Sequence, residues 1–416
     1  MVSPVRILAR WASAVVAGLT VTIGAGVAAH AAPSSSAGWS IEPTPTPAFA
    51  GVAVLSSVSC GSPRACIAVG YHLDVVGAPV PLAEQWNGSR WAIQRTPDPR
   101  GATSSFLFGV SCATPRSCAA VGSVTGGTTG TVPLVERWNG IRWTIERVSG
   151  PIRRVRRDVG YLAAVSCPSQ SVCAAVGYVG NSNGTAGMAL AERWTRARGW
   201  TVDPAPSPAG AGAAFLSGVS CSSARRCTAV GDLTTRAGAS ATLAERRTPD
   251  GWKIQPTPTP AAATLVQLTG VSCPSRSFCT AAGFFEAAGI DVMLAERWNG
   301  GRWVIGHTRY PAGAREVELA DVSCPSASSC TAVGYLNDTS GLDAPLAERW
   351  TRRGWTIQPT PAIGNSANAA DAILTGVSCP SATRCTAVGT ITALAGTGIA
   401  LAEGDVTRSM RGTRSG

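Results

Sequence analysis

Short apolar runs separated by turn residues recur along almost the whole chain. In one stretch, LTGVSC (268–273) and CTAAG (279–283) flank a turn that contains proline and serine, and both runs contain small or β-branched residues. The next run, LAERW (294–298), alternates around leucine, glutamate and tryptophan, and RWVIG (302–306) follows after the tight-turn residues NG. This pattern predicts four short β-strands, named A to D, and no helical period appears after the N-terminal segment.

The four-strand unit is repeated seven times. Its form is approximately L-x-x-V-S-C-x5-C-x-A-[VA]-G, a variable stretch, L-[AV]-E-[RQ]-W, a turn and W-x-[IV]-x-x-x-P. The first cysteines of successive units are 51 to 55 residues apart. Four-stranded units with a period near this length are typical of β-propeller blades.

The two ends of the chain complement each other. The seventh unit stops at LAEGD (401–405) and has no strand D after it, whereas a strand-D sequence, GWSIEPTPTP, stands alone at 38–47. An N-terminal strand that completes the last blade would close the ring and remove both open edges. We therefore predict an all-β fold: a seven-bladed β-propeller of four-stranded antiparallel blades, closed by the N-terminal strand.

The blade sequence CTAVGYLNDTSGLDAPLAERWTRRGWTIQPTP (330–361) resembles a kelch-type blade. In such blades, a strand ending in glycine is followed by an aromatic residue, a tryptophan and a proline-bearing exit. The resemblance covers residues 38–403 and implies the same propeller fold in an exported bacterial repeat protein. The chain departs from kelch repeats in having usually one glycine after strand B, and in its cysteine pairs. WD40 signatures and sialidase-type Asp boxes are absent from the sequence.

All 14 cysteines fall into seven pairs with five residues between them. Metal binding is one interpretation, but zinc sites use closer pairs and commonly add histidine, and the chain after residue 31 contains only His72 and His307. A local disulfide between strands A and B is the interpretation we favour, because an exported protein with an even number of cysteines suits it. The predicted bonds are Cys60–Cys66, Cys112–Cys118, Cys167–Cys173, Cys221–Cys227, Cys273–Cys279, Cys324–Cys330 and Cys379–Cys385. No cofactor or metal is expected.

Two further residue types repeat with the blade. Twelve of the 13 tryptophans occupy strands C and D, where blade packing is favoured over an aromatic glycan platform because few ligands have seven equivalent faces. The glutamate of L-A-E occurs in all seven units, and we interpret it as structural, with Arg90, Arg142 or Arg302 as partners across the C–D turn.

The N-terminal 31 residues have the features of a signal peptide. Arg6 and Arg10 precede a long apolar stretch, and Ala29-His30-Ala31 fits the small-x-small cleavage rule. An uncleaved membrane anchor is the alternative, since the apolar stretch is long enough for one. The expected organisation is a signal peptide (1–31), a propeller (32–405) and a basic, disordered C-terminal tail (406–416), in a secreted monomer with no later membrane span.

The net charge of +11 comes almost entirely from arginine and indicates weak attraction to anionic polymers rather than specific nucleic-acid binding. One run, RRVRRD (153–158), contains Arg153, Arg154, Arg156 and Arg157 and could hold an anionic polymer, although a solvated charge run is the commoner role.

The connections between strands differ in how much they vary. The A–B turn always has five residues between the cysteines, and the C–D turn is nearly constant, whereas the B–C and D–A connections change in length or content. In a propeller the B–C and D–A connections share one face, which we call the varied face; the other is the constant face. Because binding residues concentrate in variable loops on a rigid scaffold, the varied face is the predicted binding surface.

Aromatic residues also gather on the predicted varied face. Tyr71, Tyr178, Phe284 and Tyr335 directly follow the strand-B glycine, and Tyr161 and Tyr310 are placed in D–A connections. These rings either anchor a ligand or merely cap strand ends. Together with the four arginines, they are the candidate ligand-binding residues.

Catalysis has weak support in the sequence. There is no G-x-S-x-G elbow, P-loop or H-E-x-x-H motif, and nothing in the spacing selects isolated acids such as Asp74, Asp232 or Asp343. The favoured function is binding of a protein or a cell-surface glycan, without enzyme activity. The alternative is a carbohydrate-active enzyme, a glycoside hydrolase or lyase, with acidic residues near the central channel.

Overall fold

The structure is a computed structural model that describes residues 38–47, 51–126, 130–148, 158–261, 263–337, 341–361, 363, 370–393 and 397–406. The predicted signal peptide, residues 407–416 of the predicted tail and the four arginines at 153–157 lie outside these ranges. No helix in the described ranges is long and apolar enough to cross a membrane.

Twenty-eight strands form the described fold. The N-terminal strand and the first three blades contain β1 (Trp39–Glu42), β2 (Ala53–Ser62), β3 (Ala65–Leu73), β4 (Pro79–Trp86), β5 (Trp91–Gln94), β6 (Ala102–Thr114), β7 (Ser117–Gly126), β8 (Thr131–Trp138), β9 (Trp143–Ile145), β10 (Asp158–Ser169), β11 (Val172–Asn181), β12 (Gly187–Thr195) and β13 (Gly199–Val202). Blades 4 to 7 contain β14 (Ala211–Ser223), β15 (Arg226–Thr235), β16 (Ser240–Thr248), β17 (Gly251–Gln255), β18 (Leu265–Ser275), β19 (Phe278–Ala287), β20 (Ile290–Trp298), β21 (Trp303–Gly306), β22 (Glu316–Ser326), β23 (Ser329–Asn337), β24 (Asp343–Thr351), β25 (Gly354–Gln358), β26 (Ala370–Ser381), β27 (Arg384–Ala393) and β28 (Gly398–Val406).

The strands form seven four-stranded antiparallel blades, which confirms the predicted propeller. Each blade runs A, B, C, D outward from the centre, and a single parallel pairing between Val159 and Thr131 joins blades 2 and 3 into one sheet. The predicted closure is also confirmed. β1 pairs with β28 in blade 7, with Trp39 opposite Asp405 and Glu42 opposite Ala402.

Hydrogen bonds around the centre close the ring of blades. The backbone N–H of each first cysteine donates to the Oγ of the V-S-C serine in the preceding blade, over 2.9 to 3.0 Å. The seven bonds join Cys60 to Ser378, Cys112 to Ser59, Cys167 to Ser111, Cys221 to Ser166, Cys273 to Ser220, Cys324 to Ser272 and Cys379 to Ser323. The bond from blade 1 to blade 7 resembles the other six. The serine therefore recurs in every unit because each copy accepts a hydrogen bond from the next blade.

Every blade has a β-bulge in strand A directly after the motif leucine, as between Leu55 and Ser57 in blade 1. The strand-B glycine lies opposite this point. A Cβ at Gly70 would overlap the carbonyl oxygen of Val54, and the equivalent glycine of each other blade meets the equivalent carbonyl. The single glycine of x-A-[VA]-G therefore allows close approach of the strand-A backbone.

The core lies between adjacent blades rather than inside one of them. Leu55 and Leu82 of blade 1, for example, pack with Val388 and Ala402 of blade 7. Tryptophans contribute to these interfaces: the guanidinium of Arg137 lies 3.7 Å from the ring centroid of Trp194 in the next blade. The packing role predicted for the tryptophans is confirmed in these contacts.

All seven predicted disulfides are present, and the described residues contain no free cysteine. Each bond links the end of strand A to the start of strand B at the constant face. A protein with seven such bonds suits an oxidising environment.

Candidate functional site

The varied face differs most between blades in its B–C turns. Blade 5 has the shortest of these turns, since β19 ends at Ala287 and β20 begins at Ile290. Its two loop residues, Ala288 and Gly289, both have positive φ angles, of 53° and 77°, as in the tight hairpins that favour glycine. Blade 5 therefore has a tight two-residue turn where the other blades have longer B–C loops.

The predicted aromatic residues occupy different depths on this face. Four are buried, with Tyr178 2%, Phe284 4%, Tyr161 7% and Tyr335 8% exposed. Tyr71 is half-buried, and only Tyr310 among the six is exposed, at 44%. Tyr161 lies inside β10 and not in a D–A connection as predicted, because β10 begins three residues before it.

Six aromatic rings form a continuous arc across blades 1 to 4 beside the central channel. Successive centroids are 5.0, 5.9, 6.2, 5.9 and 4.3 Å apart, in the order Tyr71, Phe106, Phe108, Tyr161, Tyr178 and Phe215. The three phenylalanines were not predicted. The sequence did contain one signal: Phe108 stands at the bulge position where the other six blades have serine, alanine or threonine.

Tyr178 holds the arc to the B–C turn of blade 3. Its hydroxyl donates to the carbonyl of Ala186 over 2.9 Å. A Cβ at Gly180 or Gly187 would overlap the Tyr178 ring or hydroxyl. Two glycines thus make room for this ring, which favours a packing role for Tyr178.

The central channel is lined by the bulge residues of all seven A strands and encloses about 280 Å³. Asp321 is the one charged residue among the described channel-lining residues. Its carboxylate accepts N–H bonds from Val322 at 2.8 Å and from Val377 in the next blade at 3.0 Å. Burial raises the pKa of Asp321 to about 6, while these two backbone donors oppose the rise.

Each acid considered for catalysis accepts hydrogen bonds from its own neighbours. Asp74 accepts two backbone N–H bonds within its own B–C turn, Asp343 accepts from Asn337, and Asp232 accepts from Gln267. Burial raises the pKa of Asp232 to about 7. Within the described part of the chain, no three His, Cys, Asp or Glu side chains form a cluster suited to a metal ion.

Two clefts open between adjacent blades on the varied face. One, of about 740 Å³, lies between blades 5 and 6; we call it the 5/6 cleft. The other, of about 680 Å³, lies between blades 3 and 4 and is called the 3/4 cleft. Both volumes fall in the range of small-molecule sites. The 5/6 cleft contains Ala287, Ile290, Val292, Tyr310, Ala314, Arg315, Glu316 and Asn337 along its wall.

The repeated glutamates face the interior. All seven are 0% exposed, and neither carboxylate oxygen of any of them has a hydrogen-bond partner among the described residues: Glu84, Glu136, Glu192, Glu245, Glu296, Glu348 and Glu403. The predicted pairing with Arg90, Arg142 or Arg302 is wrong. Those arginines are exposed in the C–D turns, whereas the glutamates are fully buried, and no ion pair joins the two groups among the described residues.

Burial away from water disfavours the charged form of these glutamates. It raises the pKa of Glu348 to about 7 and that of each of the other six to about 8. The nearby backbone of Arg309 opposes part of the rise at Glu348, and the nearby hydroxyl of Thr242 does so at Glu296. Six of the side chains are therefore mainly protonated at neutral pH, and Glu348 is mainly protonated below it.

Comparison with known proteins identifies the fold alone. No protein-family model and no curated protein matches the sequence. A protein of unknown function from Dyadobacter fermentans has a similar structure, with a TM-score of 0.51 and 10% identity over 89% of this chain and 98% of the other. The two proteins thus have a similar fold although only 10% of the aligned residues are identical.

Two other propellers are similar at a lower level. Sqt1 from Chaetomium thermophilum has a TM-score of 0.45 and 12% identity, covering 84% of this chain and 94% of its own. A triple mutant of AofleA from Arthrobotrys oligospora also has a TM-score of 0.45, with 11% identity over 76% of this chain and 88% of its own. At these identities no function passes from either protein to this chain.

Proposed function

We propose that the mature chain is an exported binding protein that uses the varied face to bind a protein or a cell-surface glycan. The observation that carries this proposal is that the 3/4 and 5/6 clefts both lie on the varied face. Rigid blades hold both clefts open, and pre-formed concave sites are where ligands usually bind. The kelch-type resemblance and secretion to the cell exterior belong to this proposal.

The constant face has a different role in this account. Its strand ends are joined by the disulfides and by the serine–cysteine bonds between blades, which are the same in every unit. These repeated bonds stabilise the scaffold. The connections on the varied face can therefore differ from blade to blade.

Catalysis is not part of the proposal. The acids named above each accept hydrogen bonds from their own neighbours, and no described feature pairs two of them across the channel. The predicted binding of an anionic polymer by the arginines at 153–157 stays a separate prediction, to be tested by the salt dependence of affinity.

A face-by-face comparison of variants tests the proposed function. Residues 32–416 are produced with oxidised cysteines and assayed on isolated cell-wall polymers and on a glycan panel. Tyr71→Ala, Arg236→Ala and Tyr310→Ala change the varied face, while Arg225→Ala and Arg276→Ala change exposed A–B turns of the constant face. We expect at least one varied-face variant to weaken binding by about 1–2 kcal/mol, as for an interface anchor, with no loss for the constant-face pair.

Loss of binding in the constant-face variants, at unchanged melting temperature, would contradict the proposed function. Tyr71 is half-buried, so its variant is compared at equal folded fraction, measured by near-ultraviolet circular dichroism. Binding that no varied-face variant weakens would likewise overturn the choice of face.

A further inference from the structure

The 5/6 cleft contains one exposed aromatic ring beside three polar side chains. Tyr310 is 44% exposed, and Arg315, Glu316 and Asn337 lie next to it on the cleft wall. Ala287, Ile290 and Val292 of blade 5 supply an apolar surface opposite, and Ile290 is itself 44% exposed. Apolar surface inside a cleft and rimmed by polar side chains is a common feature of binding sites.

Hydrogen bonds hold this group of residues in place. The Tyr310 hydroxyl donates to the carbonyl of Arg315 over 3.0 Å, and the N–H of Arg315 donates to the carbonyl of Asn337 over 2.7 Å. These bonds fix the D–A connection against blade 6. A ring fixed before binding loses little conformational entropy when a ligand arrives.

Three backbone groups on the cleft wall already have partners. The N–H of Arg315 and the carbonyls of Arg315 and Asn337 are all engaged within the protein. Recognition of an extended peptide by strand addition requires an open edge of backbone donors and acceptors, which these three groups do not offer. The side chains of the cleft wall are therefore the groups that we consider for recognition.

The charges on the cleft wall balance. Arg315 and Glu316 are neighbours of opposite sign, so the cleft offers donors and acceptors without a net charge. An aromatic face suits the C–H face of a sugar ring, and guanidinium, carboxylate and carboxamide groups suit its hydroxyls. A strongly anionic ligand would meet the Glu316 carboxylate.

We propose that the 5/6 cleft is a binding site for a neutral oligosaccharide, stacked on Tyr310 and hydrogen-bonded by Arg315, Glu316 and Asn337. This inference rests on the proposed function, because it names a ligand class for one part of the varied face. The cleft volume of about 740 Å³ leaves room for more than one sugar unit.

The 3/4 cleft provides an internal comparison. It also lies between blades and contains an arginine, Arg236, together with Asn183 and Thr185. Its described lining has no aromatic side chain. If stacking on an aromatic ring contributes most of the affinity, sugar binding should depend on the 5/6 cleft and not on the 3/4 cleft.

The test uses isothermal titration of residues 32–416 with cellotriose, maltotriose, mannotriose and N-acetylchitotriose, and with sialyllactose as an anionic probe. We expect at least one neutral trisaccharide to bind, and its Kd to rise about 10-fold or more in Tyr310→Ala. Tyr310→Phe should retain most of the affinity because the ring remains. Arg236→Ala in the 3/4 cleft should leave the Kd unchanged.

Several results would overturn the inference: no binding of any neutral trisaccharide, preference for sialyllactose, or equal affinity of Tyr310→Ala and the unaltered protein. Such a result leaves the proposed function standing if Tyr71→Ala or Arg236→Ala still weakens binding to cell-wall polymers. Loss of binding through Arg276→Ala on the constant face of blade 5 would instead contradict both.

Discussion

At the residue scale, the seven buried glutamates make stability depend on pH. Their folded-state pKa values of about 7 to 8 exceed the ordinary glutamate value of 4.5, so the folded protein binds more protons than the unfolded chain between these limits. The contribution of the protonated side chains is fully present below pH 4.5 and is lost as pH rises through about 8. The protein should therefore be most stable in mild acid.

Thermal unfolding with intact disulfides tests this prediction. The melting temperature should be higher at about pH 5 than at about pH 9. Replacing Glu84, Glu192 and Glu245 together by glutamine should reduce the difference, because the amides cannot lose a proton. Asp250→Asn, at an exposed C–D turn, serves as the control and should keep the full difference. A melting temperature that rises from acid to alkaline pH would show that the carboxylates are ionised in the fold.

At the element scale, β1 has the role of a closing strand. It covers the edge of β28, and Trp39 is only 7% exposed against the rest of blade 7. The hydroxyl of Thr44 adds a bond to the carbonyl of Ala400 over 2.6 Å. Without β1, the backbone groups of β28 would form an open edge of the kind that promotes aggregation.

A truncation measures the contribution of β1. A chain that starts at residue 48 should melt at lower temperature and aggregate more readily than one that starts at residue 32, because it exposes the edge of β28. A chain lacking residues 407–416 is the matched control and should behave like the longer protein. Melting curves and light scattering at equal concentration compare the three. Equal stability and a monomeric state in the chain that starts at residue 48 would contradict the closing role.

How far the sequence predicts each element depends on whether the element repeats. The blades, the closure by residues 38–47 and the cysteine pairs follow from a pattern present in six or seven copies. The burial of an individual aromatic ring cannot be predicted from the repeat. Tyr178 and Tyr310 are both candidate ligand-binding residues in the sequence, yet Tyr178 lies under glycines of its own hairpin and Tyr310 projects from a connection into a cleft.

The glutamates mark a second limit of sequence reasoning. Their repetition correctly indicates a structural position, but the expected arginine partners follow from proximity in the C–D turn alone. Glu84 is buried inside β4, whereas Arg90 is exposed in the C–D turn between β4 and β5. Proximity along the chain therefore does not bring the two side chains together.

At the scale of the whole molecule, the two faces divide scaffold from recognition. Seven serine–cysteine bonds and seven disulfides give the constant face the same chemistry in every blade. The varied face contains the aromatic arc, the two clefts and the shortest B–C turn. A closed ring of this kind lets one blade change its connections while the neighbouring blades keep their packing.

Hydrogen–deuterium exchange tests the central claim, that the varied face binds, most directly. Exchange is measured on residues 32–416 alone and with the cell-wall polymer or trisaccharide that binds best. The account predicts slower exchange in peptides covering 287–292 and 307–316, and unchanged exchange in the A–B turns, such as 275–278. Protection confined to the A–B turns would contradict it, because the ligand would then lie on the constant face.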